Sequence, residues 1–389
     1  MAQDLCKIGI IGAGPAGCCC AYFCAKNNTN SDITVIDYDY PLKTILPTGG
    51  GKCNLTHSEF DFKELAKNYP RGEKFLYSVF SRFAVSETLE MFEDFGIKTF
   101  ARDNGRIFPV SESSKDVRSK FLNKLNNFKN IKFIKEKALR IEKTDSRFKV
   151  ITDMNSYTFD KLVVSTGGHA GYDLIKRLGV SIVNPKPSLV GLVTKQNFQQ
   201  IMGTVLPDIK NIETGENEDL LFTHFGVSGP IIYKISSLYA RKEMPYTLSF
   251  DVAEKIEDFQ DILNKNPHKL IKNILSDYLP QRFAEFILND IGIDKNIKAH
   301  SINGKIRDKI SESIHNFKIT VKSAQKHGET VTAGGVDLNK IDSKTMESKE
   351  VKNLYFCGEI IDADGFCGGF NLQNCWSTAF VASCGLSQN

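Results

Sequence analysis

A glycine-rich segment near the N-terminus has the residue types and spacing of a dinucleotide-phosphate site. It follows an apolar run at 7–11 and precedes small residues that end near Asn27, so we predict strand, tight turn and helix. Glycines permit the turn, let the backbone approach a pyrophosphate and let the helix pack on the strand, while the helix N-terminus offers N–H groups to phosphate. The residues assigned to this turn are Gly12, Ala13, Gly14, Pro15, Ala16 and Gly17.

A carboxylate follows the turn at the distance that a dinucleotide site needs. Asp37 ends a second predicted strand at 32–36 and stands 20 positions after Gly17. At this spacing an acidic side chain reaches a ribose hydroxyl. A further predicted strand, 162–165, ends where a nucleotide fold returns to its ligand, so Thr166 and Gly167 are also assigned to the cofactor. The agreement of these signals favours a dinucleotide site over a turn that merely happens to be rich in glycine.

Two more glycine-rich segments favour a flavin over a nicotinamide as the cofactor. The segment 48–54 has backbone and polar groups that could line an extended cofactor. The other follows an apolar strand at 353–357 and opens a helix, whose positive end suits the flavin N1–C2 carbonyl edge that becomes anionic on reduction. Glycine-rich loops without a ligand remain the alternative. The assigned residues are Gly50, Gly51, Lys52, Cys53 and Asn54, then Gly358, Glu359, Asp364, Gly369, Phe370 and Asn371.

The composition argues against several other kinds of protein. The chain has 389 residues, of which 41% are hydrophobic and 25% charged, so it can bury more than one core. Its 50 Lys and Arg against 46 Asp and Glu give a net charge of +4, too small an excess to indicate nucleic acid or an anionic membrane. We therefore expect a cytoplasmic protein that acts on a small molecule and has no membrane span. The sequence indicates no oligomeric state.

Ten cysteines raise the question of a redox or metal site. They show no Cys-x-x-Cys spacing and no histidine cluster accompanies them, so we predict neither a metal site nor a disulfide framework. Cys18, Cys19, Cys20 and Cys24 fall on the first predicted helix, where small side chains are needed against the sheet. We interpret them as packing residues, and Cys53 as a structural thiol rather than a redox partner of the flavin.

Taken together, the motifs resemble a known bacterial family. The segments that carry the resemblance are 12–17, 48–54, 105–109, 222–230, 332–336 and 358–371. They are similar, in this order and over essentially the whole chain, to BaiN-like reductases, also labelled aminoacetone-oxidase-like FAD-binding enzymes. The resemblance implies bound FAD in a glutathione-reductase-like Rossmann domain, interrupted by an insert made of a small β-barrel and a helical piece. It also implies an adenine contact at the backbone of Ala138.

Three positions depart from the residues usual in that family. Family members usually carry Glu at position 37, Arg at position 52 and Tyr at position 370, where this chain has Asp37, Lys52 and Phe370. Aspartate shortens the reach to the ribose, and lysine lacks the bidentate geometry of arginine.

The expected fold class is therefore α/β with a discontinuous nucleotide domain. We predict an FAD-binding Rossmann-like domain at 1–188 and 322–389, an inserted β-barrel at 189–253 and an inserted helical subdomain at 254–321. The chain has to return to the first domain after the insert, because both chain ends carry parts of one flavin site.

The chemistry predicted from these motifs is that of an FAD-dependent oxidoreductase. The sequence holds one G-x-G-x-x-G segment and no second strand-glycine-helix unit, so NAD(P)H is expected to dock only transiently if it is the reductant. No catalytic residue is identified. His224 is a weak candidate acid or base, against a loop histidine that fixes barrel backbone.

The favoured substrate is a small conjugated carbonyl compound reduced with NAD(P)H. One alternative is an oxygen-using oxidase of aminoacetone-like amines. The alternative from another class is a flavin-containing RNA-associated or binding protein.

Overall fold

The chain divides into two units, each described here by itself. The computed structural model describes residues 5–27, 30–256, 258–326 and 331–387. The first unit comprises Met1–Lys186 and Val331–Asn389, and the second comprises Pro187–Thr330. The first unit is therefore discontinuous in sequence, with the second unit inserted into it.

Within the described residues, the strands and helices follow in this order. The strands are β1 (Cys6–Ile11), β2 (Ser31–Asp37), β3 (Thr56–His57), β4 (Thr99–Ala101), β5 (Arg106–Pro109), β6 (Ile131–Lys135), β7 (Ala138–Lys143), β8 (Phe148–Thr152), β9 (Ser156–Phe159), β10 (Lys161–Val164), β11 (Ile182–Ser188), β12 (Leu192–Thr194), β13 (Val205–Asn211), β14 (Asn217–Phe222), β15 (Gly226–Ser228), β16 (Tyr246–Asp251), β17 (Phe317–Ala324), β18 (Val331–Val336) and β19 (Leu354–Phe356). The α-helices are α1 (Pro15–Asn27), α2 (Phe62–Ala66), α3 (Glu73–Phe80), α4 (Val85–Asp94), α5 (Ser114–Asn126), α6 (Tyr172–Lys176), α7 (Pro230–Leu238), α8 (Phe259–Lys265), α9 (Ile271–Ser276), α10 (Gln281–Asp290), α11 (Gly304–His315) and α12 (Phe370–Leu386).

A parallel sheet of five strands, in the order β19-β10-β1-β2-β6, forms the centre of the first unit. Its central strands are mostly apolar because both faces of a parallel sheet are covered. Helices α1 and α12 pack together, and the Cys19 Sγ lies 3.8 Å from the Trp376 carbonyl oxygen. In the register, Ile11 of β1 pairs with Ile36 of β2 and with Val164 of β10. The carboxyl ends of these strands therefore meet at one edge, where α/β folds bind ligands.

Smaller sheets and helices surround this core in the first unit. Strands β3, β5 and β4 form one antiparallel sheet, and β7, β8 and β9 form another. Helices α2 and α5 begin at capping side chains, since Asp61 accepts from two N–H groups of α2 and Ser113 accepts from the N–H of Asp116 in α5. Strands β11 and β18 pair where the chain leaves the first unit and returns to it.

The second unit is a closed barrel with helices. Its strands follow the order β12-β15-β14-β13-β16-β17, and β17 pairs with both β16 and β12 to close the barrel. The helices α8, α9, α10 and α11 lie in sequence between β16 and β17. They share one apolar core with the barrel, which includes Phe222, Phe283 and Phe317.

The predicted fold class is confirmed, and the domain boundaries need correction. The α/β nucleotide domain, the barrel and the helical piece are all present. The predicted return to the first domain at 322 is wrong, because that position lies inside β17, which the barrel needs for closure. The first unit ends at Lys186 instead of 188 and resumes at Val331. The barrel strands therefore lie on both sides of the helical segment in sequence.

Within the described ranges, every helix falls short of the length and apolar character that a membrane span requires.

Candidate cofactor site

The glycine-rich turn joins β1 to α1 at the carboxyl edge of the sheet. Gly12 has a φ of 104°, and a Cβ on it would lie 2.5 Å from the Ser165 carbonyl oxygen. A Cβ on Gly17 would lie 1.9 Å from the Gly12 carbonyl oxygen. Gly14 is different, because among the described residues a Cβ there would meet only Thr44 Oγ1, at 3.6 Å. Two glycines therefore serve close packing, and Gly14 leaves backbone open, as a pyrophosphate site requires.

The other residues of this turn shape the start of α1. Pro15 is its first residue, where a missing N–H costs nothing. Ala16 is buried, and its Cβ would lie 2.6 Å from a Cβ on Gly358. Ala13 N–H donates to Asp37 Oδ2 at 2.6 Å. The turn therefore contacts both β2 and the C-terminal part of the first unit.

The structure places Asp37 at the end of β2, as its spacing indicates. Its Oδ2 accepts from Ala13, and its Oδ1 accepts from the Asp39 N–H at 3.0 Å. Each carboxylate oxygen has a second lone pair, so the side chain can still accept from a ribose hydroxyl. Lys135 of β6 is the register partner of Asp37, and Ala138 follows three positions later at the start of β7. The suggested adenine contact is thus close in sequence to the strand beside Asp37.

The second glycine-rich segment forms a 3₁₀ turn at Thr48–Gly51 with open backbone. No described atom lies within 4 Å of a Cβ added at Gly50, and the nearest to one at Gly51 is the Leu46 carbonyl oxygen at 4.0 Å. The Lys52 Nζ lies 3.2 Å from Glu112 in an exposed ion pair. Cys53 is fully buried, and burial raises the pKa of its thiol to about 11. The segment therefore offers backbone, rather than the lysine or the thiol, to a ligand.

The end of β10 lies at the same carboxyl edge of the parallel sheet as the glycine-rich turn. Ser165 Oγ donates to the Gly12 carbonyl oxygen at 3.0 Å, which fixes this strand end against the glycine-rich turn. Thr166 Oγ1 donates to the Ala170 carbonyl oxygen at 2.8 Å. The nearest described atom to a Cβ added at Gly167 is Glu359 Oε2, at 4.0 Å. Gly167 therefore joins Gly14, Gly50 and Gly51 as glycines that border open space.

The C-terminal loop is held by hydrogen bonds from within the first unit. Gly358 N–H donates to Thr378 Oγ1 at 2.9 Å, and Thr332 N–H donates to Glu359 Oε1 at 2.8 Å. Asn371 bonds both ways with Gly365, donating at 2.8 Å and accepting at 2.9 Å. Asn371 thus organises the loop that precedes α12, in addition to any contact with a ligand.

Asp364 forms a buried ion pair that the sequence pattern did not indicate. Its side chain is fully buried, and both carboxylate oxygens bond to the Arg71 guanidinium, one of them at 2.5 Å from Nη2. The paired geometry is the bidentate one that gives arginine–carboxylate contacts their strength. Asp364 therefore anchors the C-terminal loop to the segment before α3, instead of presenting a free carboxylate.

Asn54 connects the second glycine-rich segment to the C-terminal loop. The Asn54 amide oxygen accepts from the Gly369 N–H at 2.9 Å. In the same orientation, the Asn54 amide nitrogen donates to the Thr56 carbonyl oxygen at 3.0 Å. Trp376 Nε1 donates to the Leu55 carbonyl oxygen at 3.0 Å. The structure thus brings both chain ends into one site, and the start of α12 lies beside the 48–54 segment.

His57 belongs to this site and was missed by sequence reasoning. Its ring stacks on Phe370 with centroids 4.7 Å apart, and the Phe370 carbonyl oxygen accepts from the Tyr69 hydroxyl at 2.5 Å. Burial lowers the pKa of His57, against a smaller opposing effect of a backbone hydrogen bond with Asn104. The only sequence signal was a histidine three positions after Asn54.

The residues present fit a flavin dinucleotide. The His57 Nδ1 is buried and has no hydrogen-bond partner among the described residues. An unsatisfied buried nitrogen costs roughly 1–3 kcal/mol, so a donor supplied by a bound group would be favourable there. The four glycines that border open space leave backbone available along the same edge. Hydrogen-bonding groups and exposed backbone thus line the site, together with the Asp37 carboxylate at the end of β2.

His224 lies in the second unit, in the turn between β14 and β15. Its ring is exposed and meets the Phe225 ring edge-on at 5.1 Å. The turn itself is closed by Thr223, whose N–H donates to the Gly226 carbonyl oxygen at 2.9 Å. The histidine is therefore not what fixes this backbone. In the described part of the chain, no group of three or more His, Cys, Asp or Glu side chains could hold a metal ion.

Comparison with known proteins identifies the family. Residues 6–385 match the family described as "HI0933-like protein Rossmann domain". The chain belongs to this HI0933-like family. Its match covers nearly the whole chain, and the resemblance to FAD-binding Rossmann flavoproteins is thereby confirmed. At the level of its family, the chain is an FAD-dependent oxidoreductase.

Two curated relatives and one solved structure extend this finding. The "Ribosomal RNA dihydrouridine synthase" of Escherichia coli (strain K12) is 27% identical over 398 residues, which cover 96% of each chain. The "3-dehydro-bile acid delta(4,6)-reductase" of Clostridium scindens is 27% identical over 406 residues, covering 97% of this chain and 98% of the relative. The open conformation of a flavocytochrome c3 fumarate reductase aligns with a TM-score of 0.51 at 12% identity, covering 98% of this chain and 78% of that one. That last similarity is one of fold alone.

Proposed function

We propose that this HI0933-like protein is an FAD-dependent reductase of carbon–carbon double bonds conjugated to a carbonyl, with a uracil base of ribosomal RNA as its substrate. The observation that carries the proposal is the chemistry shared by the two curated relatives. Dihydrouridine differs from uridine by two hydrogens across the C5–C6 bond, which is conjugated to the C4 carbonyl. A Δ4,6 double-bond system in a 3-oxo bile acid is conjugated to its C3 carbonyl in the same way. One kind of cofactor site therefore suits both reactions.

The chain's own residues have distinct roles in this proposal. FAD, when bound, supplies the two-electron redox chemistry. Gly14, Gly50 and Gly51 give room for close backbone contacts, and Asp37 accepts from a ribose hydroxyl. The first N–H groups of α12 and the positive end of its dipole stabilise negative charge at the edge beside Asn54.

The proposed reaction consumes NAD(P)H and one proton for each double bond saturated, and it forms NAD(P)⁺. The single G-x-G-x-x-G segment favours a reductant that docks transiently instead of one with its own nucleotide domain. The proton at the substrate's α-carbon has to come from a side chain or water. His224 remains the candidate named from the sequence for that step.

The decisive experiment supplies purified, FAD-loaded protein with NADH or NADPH without oxygen. One arm offers ribosomal RNA transcribed in vitro, with a transfer RNA transcript as the control RNA, and nucleosides are analysed by mass spectrometry. We expect dihydrouridine in the ribosomal RNA, formed in proportion to NAD(P)H oxidised. A second arm offers a 3-oxo-Δ4,6 bile acid, and a third offers aminoacetone with oxygen.

The arms separate the alternatives. Reduction of the bile acid without reduction of either RNA would overturn uracil as the substrate and leave the conjugated-alkene chemistry standing. Hydrogen peroxide formed from aminoacetone without any need for NAD(P)H would overturn the reductase and favour the amine oxidase.

A further inference from the structure

A cleft in the first unit has three cationic side chains among the six residues that line it. It has a volume of about 600 Å³, and its walls are Arg140, Ile141, Glu142 and Lys143 of β7 together with Arg177 and Leu178, which follow α6. Helix α6 packs against β7, so the two walls are adjacent elements of one unit.

The charges in this cleft are not balanced. Arg140 is paired with Glu142 at 2.7 Å, and both side chains are exposed enough to exchange partners. Neither Lys143 nor Arg177 forms an ion pair with a carboxylate among the described residues. The Lys143 Nζ donates to the Lys352 carbonyl oxygen and lies 4.3 Å from the Phe148 ring centroid. Three cations against one carboxylate leave an excess of two positive charges, which favours an anionic ligand.

The cleft flanks segments already assigned to the cofactor. Strand β7 begins at Ala138, the suggested adenine contact, and α6 follows the segment that starts at Thr166 and Gly167. The cleft is therefore formed by elements that adjoin the cofactor segments in sequence, and a ligand there would not occupy the cofactor site.

We propose that this cleft binds backbone phosphates of the RNA substrate, an inference that rests on the proposed function. The cations come from two adjacent elements, Arg140 and Lys143 from β7 and Arg177 from the segment after α6, and the cleft is open to solvent, which suits a chain of phosphates. Among the described residues that line the cleft there is no aromatic side chain on which a nicotinamide or adenine ring could stack. Guanidinium groups form bidentate hydrogen bonds with phosphate oxygens, and such contacts fix the position of an RNA without reading its sequence.

The test is RNA binding by the variant R140Q/K143Q/R177Q at several salt concentrations. Each lost phosphate contact lowers the slope of log Kd against log salt by about 0.7 for single strands and about 0.9 for duplex, so three contacts lower it by roughly 2–3. We also expect at least tenfold weaker binding of the ribosomal RNA transcript at physiological salt. The matched control K74Q/K98Q/K115Q removes the same charge from exposed lysines elsewhere in the first unit, and its slope should stay close to that of wild type.

Two further readouts keep this inference separate from the proposed function. FAD affinity and the thermal unfolding midpoint should be unchanged in R140Q/K143Q/R177Q, which shows that the fold and the cofactor site are intact. Weaker RNA binding supports phosphate binding by the cleft even if the enzyme converts no uracil to dihydrouracil. That second result would refute only the proposed function. An unchanged Kd for RNA and an unchanged salt slope would refute phosphate binding by this cleft, even if the protein reduces uracil in RNA. A tenfold rise in KM for NADPH with unchanged RNA binding would overturn it too, because the phosphate would then belong to the reductant.

Discussion

Gly14 offers a test of the cofactor site that separates binding from folding. A Cβ added at Gly14 meets only Thr44 Oγ1 at 3.6 Å, so Gly14→Ala is expected to fold normally. At the position before a helix, alanine lowers the free energy of unfolding by about 1 kcal/mol relative to glycine. Alanine also restricts the unfolded chain, which raises the free energy of unfolding by about 0.4–1 kcal/mol. These two effects oppose each other, so the free energy of unfolding should change by less than about 1 kcal/mol.

The same methyl group should interfere with FAD, because it fills the space through which a pyrophosphate would approach the backbone. We expect the Kd for FAD to rise at least tenfold, equivalent to about 1.4 kcal/mol. The assay is titration of the apoprotein with FAD, followed by flavin fluorescence, beside thermal unfolding without cofactor. The control Gly304→Ala adds a methyl group at the start of α11, where the nearest atom is Arg307 Nη2 at 3.8 Å; it should leave the Kd for FAD unchanged and raise the free energy of unfolding by about 0.4–1 kcal/mol.

Gly17→Ala supplies the contrast. Its Cβ would lie 1.9 Å from a backbone oxygen, so α1 and the turn have to separate, at a cost of about 1–3 kcal/mol or more. That loss lowers Tm by roughly 2–4 °C per kcal/mol in domains of 150–250 residues. The reasoning is refuted if Gly14→Ala binds FAD within a factor of two of wild type, or if it unfolds as readily as Gly17→Ala.

Three other predictions follow from buried groups. Arg71→Met should lower the free energy of unfolding by about 3–5 kcal/mol in urea titrations, because it removes the guanidinium from the buried Asp364 carboxylate; a loss below about 1 kcal/mol would contradict this. Burial lowers the pKa of His57, so the unfolded state binds its proton first, and stability should fall as the pH drops below about 6.5. His57→Asn should reduce that fall, and equal pH profiles would exclude the effect. Timed alkylation with peptide mapping should label the exposed Cys367 before Cys53, whose burial raises its thiol pKa to about 11; equal rates would show that the 48–54 segment opens.

The local elements of the cofactor site could be predicted from sequence because each has a short-range signal. The glycine spacing predicts the turn between β1 and α1, and the apolar run ending at Asp37 predicts β2. The cysteines of α1 were interpreted as packing residues, and Cys18, Cys19, Cys20 and Cys24 are indeed buried there as free thiols.

Contacts between distant segments could not be predicted in this way. Arg71 and Asp364 are 293 positions apart, and neither lies in a pattern that names the other. Lys52 was assigned to the cofactor because it stands in the glycine-rich segment, whereas its ammonium group reaches Glu112, which is 60 positions away. The predicted return to the first domain at 322 was wrong for a similar reason. A barrel closes only when its last strand returns to its first, and β17 does so only after the four described helices that separate it from β16.

The net charge is a sum over the whole chain and does not show where the charged side chains lie. A value of +4 for the whole chain argues against nucleic acid only if the charges are evenly mixed. Arg140, Lys143 and Arg177 come together from two segments about 35 positions apart. Their grouping exists only in the folded chain, so composition could not show it.

The position of Trp376 gives the protein a built-in optical reporter. It is the single tryptophan of the chain, fully buried, and its ring meets the Phe92 ring edge-on at 5.4 Å. Its indole N–H bonds to the Leu55 carbonyl, one residue after Asn54. Because oxidised flavin absorbs in the range in which a buried indole emits, arrival of FAD should quench this single emitter. Occupancy of the site can therefore be followed in the unlabelled protein, and every variant discussed here keeps the reporter.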